Sequence, residues 1–180
     1  MNNYLAMEIQ ESYFEEAVSV PLETFIKEKE NVFLVKVKGE SDKDSTYNIF
    51  YDVAIYQDIA SIHFILYVYS GGAHDIRFDQ VVYYDLNALK EVFFSDLVQD
   101  NQEFYQFVRS FSKEKLLNES KDLIYDDMFL FEDGLEKIPY FVFESNHFQV
   151  IFPPYQVGPW SSGEIHVEIP YSLIASYLKI

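Results

Sequence analysis

The chain has 180 residues, of which 49% are hydrophobic and 18% aromatic, and it contains no cysteine. This composition is enough for one buried core, and it excludes a disordered protein, a disulfide framework, a thiolate nucleophile and a zinc finger. Thirty acidic residues against thirteen basic ones give a net charge of −17, which makes nucleic acid an unsuitable partner and favours either a cationic partner or simple solubility.

The first ten residues, MNNYLAMEIQ, have neither the basic region nor the apolar run of a signal peptide. No stretch of the sequence reaches the roughly 18 apolar residues that a membrane span requires. We therefore expect either a cytoplasmic protein or one whose export segment lies outside this sequence.

Residues 8–46 are predicted to be largely helical. Their apolar side chains recur at helical spacing, at Ile9, Tyr13, Phe14, Ala17, Leu22, Phe25 and Ile26. Pro21 is expected to kink this helix or to split it in two, because proline lacks an N–H group. The stretch NVFLVKVKG at residues 31–39 fits either a continued helix or a strand.

From residue 47 the hydrophobic period changes to two. Residues 47–58 and 60–72 are rich in β-branched and aromatic side chains and are separated by a polar break, which predicts an antiparallel pair. Residues 78–97 predict a second pair with a turn near Asn87.

A helical pattern returns at Asp100, which can cap a helix with Glu103 three residues later. The stripe of this central helix consists of Phe104, Phe107, Val108, Phe111, Lys115 and Leu116.

Residues 137–152 predict a hairpin that turns at Ser145–Asn146. A compact loop at 153–163, a strand at 164–170 and a short helix at 171–179 follow. Together these elements predict a single α+β domain over residues 1–180. Its mostly antiparallel, twisted sheet packs with a long N-terminal helical segment, a central helix and a short C-terminal helix.

Residues 69–74 read YSGGAH and place two of the six glycines beside one of the four histidines. Gly71 and Gly72 can adopt conformations closed to other residues, and they can let another backbone approach closely. The stretch lacks the Lys and Ser/Thr of a phosphate-binding loop. We expect His74 to hydrogen-bond a backbone group or a tyrosine hydroxyl in the 153–163 loop. Ligand contact and metal or acid–base chemistry are the alternatives.

Tyr155 and Trp160 lie in a loop stiffened by proline and glycine, so their rings are candidates for a protein interface or a sugar-binding face. The alternative is that these rings only cover the core. His63 lies on a predicted strand between Ile62 and Phe64, so we expect its side chain to be half-buried in the packing. His147 lies at a predicted hairpin turn, so we expect it to be exposed.

Glu164, His166 and Glu168 alternate along one strand, so their side chains share one face. Two carboxylates and an imidazole make a weak candidate metal site, and a solvated polar face is the other interpretation. The chain has no H-E-x-x-H and no G-x-S-x-G motif, and without cysteine it has no thiol nucleophile. We therefore predict no catalytic residue, no cofactor and no enzymatic activity.

Several motifs occur in a fixed order. Residues 69–74 are followed by Asp85–Leu86, Ser95–Leu97 and, at the end, Ile169–Pro170. A long loop motif lies between Ser95–Leu97 and Ile169–Pro170. It consists of Phe152, Pro154, Tyr155, Gly158, Pro159, Trp160 and Gly163. In this order they resemble the C-terminal domain of RsiV-type anti-sigma factors, which also accompanies PdaC-type peptidoglycan deacetylases.

The chain departs from the pattern of that family at three points. Ala88–Leu89 stand where Thr-Gly is usual, so a tight turn with positive φ is not assured there. Pro153 replaces a common aspartate, and Val98 replaces a phenylalanine.

The resemblance implies that residues 47–180 form the sheet region that bears the motifs and that residues 8–46 lead into it. It also implies an extracytoplasmic, non-catalytic binding or sensor module. The implied partner is a cationic secreted protein such as lysozyme, or peptidoglycan fragments of the cell wall. In the deacetylases, catalysis belongs to a separate metal-binding domain, which nothing in this sequence resembles.

Two alternatives stay open. One is a carbohydrate or small-molecule binder with a cleft lined by His74 and Trp160. The other is a metal-dependent hydrolase that uses Glu164, His166 and Glu168.

Overall fold

The computed structural model of the protein describes residues 16–39, 45–99, 102–119, 124 and 140–180. Its α-helices are α1 (Glu16–Gly39), α2 (Phe94–Leu97), α3 (Gln102–Glu119) and α4 (Tyr171–Ile174). Its strands are β1 (Thr46–Tyr56), β2 (Ile59–Tyr69), β3 (Ile76–Asp85), β4 (Lys90–Val92), β5 (Tyr140–Phe143), β6 (His147–Phe152) and β7 (Ile165–Pro170). The α+β class and the predicted antiparallel pairing are confirmed, and the strands are divided between two sheets.

The first sheet has the strand order β1-β2-β3-β4, and every neighbouring pair is antiparallel. Alternation along the strands divides its side chains between two faces. One face packs on α1, where a core forms around Phe33 and Phe64, whose ring centroids lie 6.4 Å apart. Further buried members of this core are Leu22, Phe25, Ile26, Val37, Ala60, Ile62, Leu66 and Val68.

The second sheet has the order β5-β6-β7 and packs against α3. The helix directs Phe104, Val108 and Leu116 into the core because these residues recur at helical spacing. They pack with buried strand residues that include Phe148 and Val167.

Two hydrogen bonds join the sheets in the interior. The backbone N–H of Phe143 donates to the hydroxyl oxygen of Ser61 at 3.0 Å, and the hydroxyl of Tyr83 donates to the backbone oxygen of Phe141 at 2.8 Å. Ser61 is fully buried, so its hydroxyl needs such a partner. Burial, with a smaller effect from Tyr105, raises the pKa of Tyr83 well above its usual range, so its hydroxyl stays neutral and donates.

The N-terminal helix differs from the sequence prediction at Pro21 and shows which of the two structures predicted for residues 31–39 is formed. α1 runs through Pro21, so the predicted split there is wrong, and residues 31–39 continue the helix. Proline removes one backbone hydrogen bond, and burial of Leu22, Phe25 and Ile26 just after it offsets that loss. The predicted cap Asp100 and residues 8–15 lie outside the described residues.

The turn between β3 and β4 lies where it is predicted, near Asn87. The carboxylate of Asp85 accepts hydrogen bonds from the backbone N–H groups of Asn87 at 2.9 Å and Ala88 at 2.8 Å. Leu89 has a φ of 50°, so the left-handed conformation is present although glycine is not. The tight turn therefore forms although Ala88–Leu89 replace the Thr-Gly that is usual in the family the chain resembles.

None of the helices in the described part of the chain combines the length and the apolarity that a membrane crossing demands.

Candidate binding surface formed by two loops

The first loop, residues 70–75, follows β2 and owes its course to two glycines. Gly71 has a φ of 84° and Gly72 a φ of 149°, conformations that L residues rarely adopt. A Cβ atom added at either position would meet no heavy atom within 4 Å. The predicted need for unusual backbone angles is confirmed, whereas the expected close approach of another backbone is wrong.

The second loop, residues 153–163, is folded on itself by local hydrogen bonds. The N–H of Tyr155 donates to the oxygen of Gly158 at 3.0 Å, and the N–H of Gln156 donates to the oxygen of Pro153 at 3.1 Å. A short 3₁₀ turn, Trp160–Ser162, then ends at Gly163 with a φ of 67°. This loop is compact, as its proline and glycine content predicts.

His74 joins the two loops through Tyr155 and Trp160. Its ring stacks on Trp160 with centroids 4.5 Å apart and planes 14° apart, and its Nε2 lies 3.1 Å from the hydroxyl of Tyr155. We call His74, Tyr155 and Trp160 the ring cluster. The predicted contact between His74 and a tyrosine hydroxyl of the second loop is confirmed, and a binding role for these residues stays a prediction.

The contacts of His74 determine its neutral tautomer. Nδ1 lies 2.8 Å from the backbone oxygen of Asp75, and a carbonyl oxygen only accepts, so Nδ1 carries the proton. In the neutral ring Nε2 is then an acceptor, and the O–H of Tyr155 donates to it.

The ring cluster lies at the surface. Tyr155 is 53% exposed, His74 is exposed and Trp160 is half-buried, so covering the core does not account for Tyr155. Tyr155 also has a φ of 71°, which is uncommon for a residue other than glycine. Residues held in such conformations concentrate at functional sites.

A second group of side chains links β2 and β3 to Glu164, which follows the second loop, and we call it the ion network: His63, Arg77, Asp79 and Glu164. Arg77 donates to both carboxylate oxygens of Asp79, from Nε at 2.8 Å and from Nη2 at 2.6 Å, and Nη2 also donates to Glu164. Nε2 of His63 lies 2.8 Å from Asp79. The side chains of His63, Arg77 and Asp79 are at most 6% exposed, so the charges of Arg77 and Asp79 depend on each other.

The ion network shifts two pKa values. Burial lowers the pKa of Arg77, but its hydrogen bonds to Asp79 and Glu164 outweigh burial and raise it above its usual range. Burial raises the pKa of Glu164, but hydrogen bonds from His166 and Arg77 outweigh burial and lower it to about 2. Arg77 and Glu164 are therefore both charged at neutral pH.

Two of the three remaining histidines, His63 and His147, differ from expectation. His63 was expected to be half-buried packing, but it is 3% exposed and paired with Asp79, so that expectation is wrong. His147 is partly buried rather than exposed, with Nδ1 2.6 Å from Oδ1 of Asn146. His166 bonds Glu164 through Nε2 and accepts at Nδ1 from the amide of Gln149 at 2.9 Å.

The weak metal candidates are only partly brought together. Glu164 and His166 are hydrogen-bonded, whereas the described contact of Glu168 is made by its backbone oxygen, 3.3 Å from the ammonium of Lys115. The group of possible metal ligands in the described chain is instead His63, Asp79 and Glu164, whose ligand atoms lie within 4.8 Å of one another.

Arg77 decides whether these ligands fit a metal ion. Its guanidinium donates to both oxygens of Asp79 and to Glu164, so the carboxylates already have a cationic partner. A metal ion there would lie against a buried positive charge, so these residues do not fit a metal in this arrangement.

A separate cavity of about 520 Å³ lies between α3 and the end of β7. Its lining residues are Phe111, Glu114, Lys115, Asn118, Glu119, Asn146, His147, Glu168 and Pro170. It shares no residue with the ring cluster.

Sequence reasoning missed Arg77 and Asp79. A usable signal was present, because Arg77 is the single basic residue in residues 45–85 of the described chain and lies two positions before an acidic residue on a strand. The two side chains therefore share a face.

Comparison with known proteins shows that part of the chain is similar to one family. Residues 87–172, just under half of the chain, match the family model DUF3298, described as a protein of unknown function. This match includes the second loop and ends before α4 is complete. No curated protein matches the chain.

Two solved structures are similar to this chain. A DUF3298 family protein from Pseudomonas aeruginosa PAO1 is 17% identical, with a TM-score of 0.60 over 82% of this chain and 68% of that chain. A member of the same family from Bacteroides fragilis NCTC 9343 is also 17% identical, with a TM-score of 0.55 over 88% of this chain and 67% of that chain. These likenesses show a shared fold.

Proposed function

We propose that this chain is a non-catalytic binding module that captures a cationic protein outside the cytoplasm. The observation that carries the proposal is the ring cluster, in which the exposed ring of Tyr155 and the half-buried ring of Trp160 stand on a platform of two hydrogen-bonded loops. Such rings give large contact areas with little loss of conformational freedom on binding.

Charge supports a cationic partner. The ranges 70–75 and 153–164 contain Asp75 and Glu164 and no lysine or arginine. The nearest basic side chain along the strand, Arg77, is buried and neutralised by Asp79 and Glu164. With a net charge of −17, the whole molecule also steers positively charged proteins towards itself.

The resemblance to the RsiV-type sensor domain supports a particular partner class. It suggests a secreted basic protein such as lysozyme, which would place this chain at the cell envelope. The DUF3298 match adds no activity, because that family is itself of unknown function.

Calorimetry with a lysozyme at low and at physiological salt tests this function. A second basic protein of similar charge is the control for unspecific attraction, since exposed charges are screened over about 8 Å at physiological salt. Selective binding that persists at physiological salt is the expected result. Equal, salt-sensitive binding to both proteins, or binding to neither, would overturn the proposal.

A carbohydrate ligand is the second candidate, and the exposed ring of Tyr155 beside Trp160 is the observation that favours it. Peptidoglycan fragments that bind the native protein should raise its melting temperature by mass action. No shift with muropeptides at millimolar concentration would remove this candidate.

The proposal includes the absence of catalysis. The metal-dependent alternative relied on Glu164, His166 and Glu168, and Glu164 is already held by Arg77. Stoichiometric zinc or manganese by elemental analysis, together with stabilisation by the added metal, would contradict this part of the proposal.

A further inference from the structure

We infer that the ring cluster and the carboxylate of Asp75 together form a receptor for an arginine side chain of the partner. This inference rests on the proposed function and specifies which group of the cationic partner the surface recognises.

The first argument is the arrangement of the rings. Tyr155 and Trp160 have centroids 5.7 Å apart and planes tilted by 39°, so they form an open angular surface and not a closed stack. His74 covers part of one face of Trp160, while 53% of Tyr155 is exposed. Aromatic faces are electron-rich and attract cations within about 6 Å of the ring centroid.

The second argument is an available carboxylate. Asp75 follows His74 directly, and its backbone oxygen is the acceptor for Nδ1 of that ring. Within the described chain, the carboxylate of Asp75 has no hydrogen bond or ion pair, unlike those of Asp79 and Glu164. A half-buried carboxylate on the residue next to His74 is a suitable counter-ion for a cation that arrives from a partner.

The third argument is that the chain supplies no cation of its own at this place. The described cation–ring contacts involve Lys29, Lys38 and Arg77, which lie over Phe25, Tyr47 and Tyr67 respectively. None of them involves the ring cluster. Arg77, the nearest of the three in sequence, is 6% exposed and held by two carboxylates.

Arginine fits this surface better than lysine for a geometric reason. A guanidinium group is planar, so stacking on Tyr155 or Trp160 leaves the N–H groups of its edge available to donate to a carboxylate such as that of Asp75. It is also more weakly hydrated than an ammonium group and loses less on leaving water.

The test uses short peptides and does not depend on a particular protein partner. The intact protein is titrated with tetra-arginine, tetralysine and tetracitrulline at physiological salt. Trp160 is the single tryptophan of the chain, so its fluorescence reports directly on the ring cluster. We expect tetra-arginine to change this fluorescence and to bind at least about threefold more tightly than tetralysine, while tetracitrulline has no effect.

Two substitutions locate the site by calorimetry. Asp75→Asn and Tyr155→Asn should each lower the affinity for tetra-arginine by roughly two- to fivefold, the range expected for an exposed cation–ring contact. Asparagine is chosen at position 155 because it tolerates a positive φ. The control is Asp58→Asn, in the turn at the opposite end of β2, which should change the affinity by less than twofold.

The outcomes separate this inference from the proposed function. Equal affinity for tetra-arginine and tetralysine, or affinity unchanged by both substitutions in proteins that melt normally, would overturn the arginine receptor even if lysozyme binds. A different outcome is a protein that binds tetra-arginine selectively, with both substitutions weakening this binding, and yet does not bind lysozyme. That result would support the arginine receptor and overturn lysozyme as the partner.

Discussion

The ion network and the ring cluster connect the same two segments of the chain in different ways. Arg77 lies three residues after His74, and Glu164 lies four residues after Trp160, so the contacts Arg77–Glu164 and His74–Trp160 both join residues 74–77 to residues 160–164. In the ion network, Arg77 and Asp79 are buried and pair with each other, and Glu164 completes the group. In the ring cluster, His74 and Tyr155 are exposed and Trp160 is half-buried. The difference teaches that one connection is buried and fixes the platform, while the other leaves aromatic surface in solvent, where the proposed binding would take place.

Breaking the ion network should have the largest effect on stability. Arg77→Leu leaves Asp79, which is 3% exposed, without its cationic partner and should lower the free energy of unfolding by about 3–5 kcal/mol. Urea unfolding measures this change. Lys113→Leu on the exposed side of α3 is the matched control and should cost less than about 0.5 kcal/mol. If Arg77→Leu lowers the free energy of unfolding by no more than Lys113→Leu does, the ion pairs of Arg77 contribute little to stability.

The acid stability of the protein should depend on Glu164. Its folded pKa of about 2 lies below its unfolded value of 4.5, so its stabilisation is complete above pH 4.5 and is lost as the pH falls towards 2. The difference corresponds to roughly 3 kcal/mol at neutral pH, and solvent screening of the partly exposed carboxylate reduces this contribution. Glu164→Gln should therefore flatten the fall in unfolding free energy between pH 4.5 and 2. A variant with the same pH dependence as the native protein would contradict this account.

A smaller effect is expected in the first loop. Gly71→Ala places a side chain at a φ of 84° and should lower the unfolding free energy by about 1 kcal/mol, although the site has room for the methyl group. Gly39→Ala, near the end of α1 and equally uncrowded, is the control and should not destabilise the protein in the same urea experiment. Equal values for the two variants would show that φ is not the cause.

The smallest effect on stability is expected for the ring cluster itself. Trp160→Leu removes a half-buried ring that stacks on His74 and should cost less than about 1 kcal/mol of unfolding free energy, because leucine keeps part of the apolar contact. Its affinity for the cationic partner should nevertheless fall. A large loss of stability with unchanged binding would mean that the ring cluster, like the ion network, serves to hold the two loops together.

Local sequence patterns predicted much of the fold. The hairpins β1–β2 and β5–β6 followed from alternation and polar breaks, and the contact of His74 with the second loop followed from the paired motifs. The continuation of α1 through residues 31–39 could not be predicted in this way. There Phe33 and Val37 are buried at helical spacing only because a sheet lies beneath them.

The ion network shows a second limit. His63 pairs with Val81 in the register of β2 and β3, so Asp79 is its diagonal neighbour on the same face. That relation exists only once the register is known. The contact of Arg77 with Glu164 spans 87 positions and depends on how the second sheet lies against the first, which no local pattern records.

Leu89 offers a way to change the stability of the protein far from the ring cluster. It is 45% exposed at the tip of the β3–β4 hairpin and holds a left-handed φ of 50°. Glycine there would relieve about 1–2 kcal/mol of backbone strain and lose about 0.5–1 kcal/mol through a freer unfolded chain. Leu89→Gly should therefore raise the free energy of unfolding slightly, and this gain would offset part of the loss caused by destabilising substitutions in the two loops.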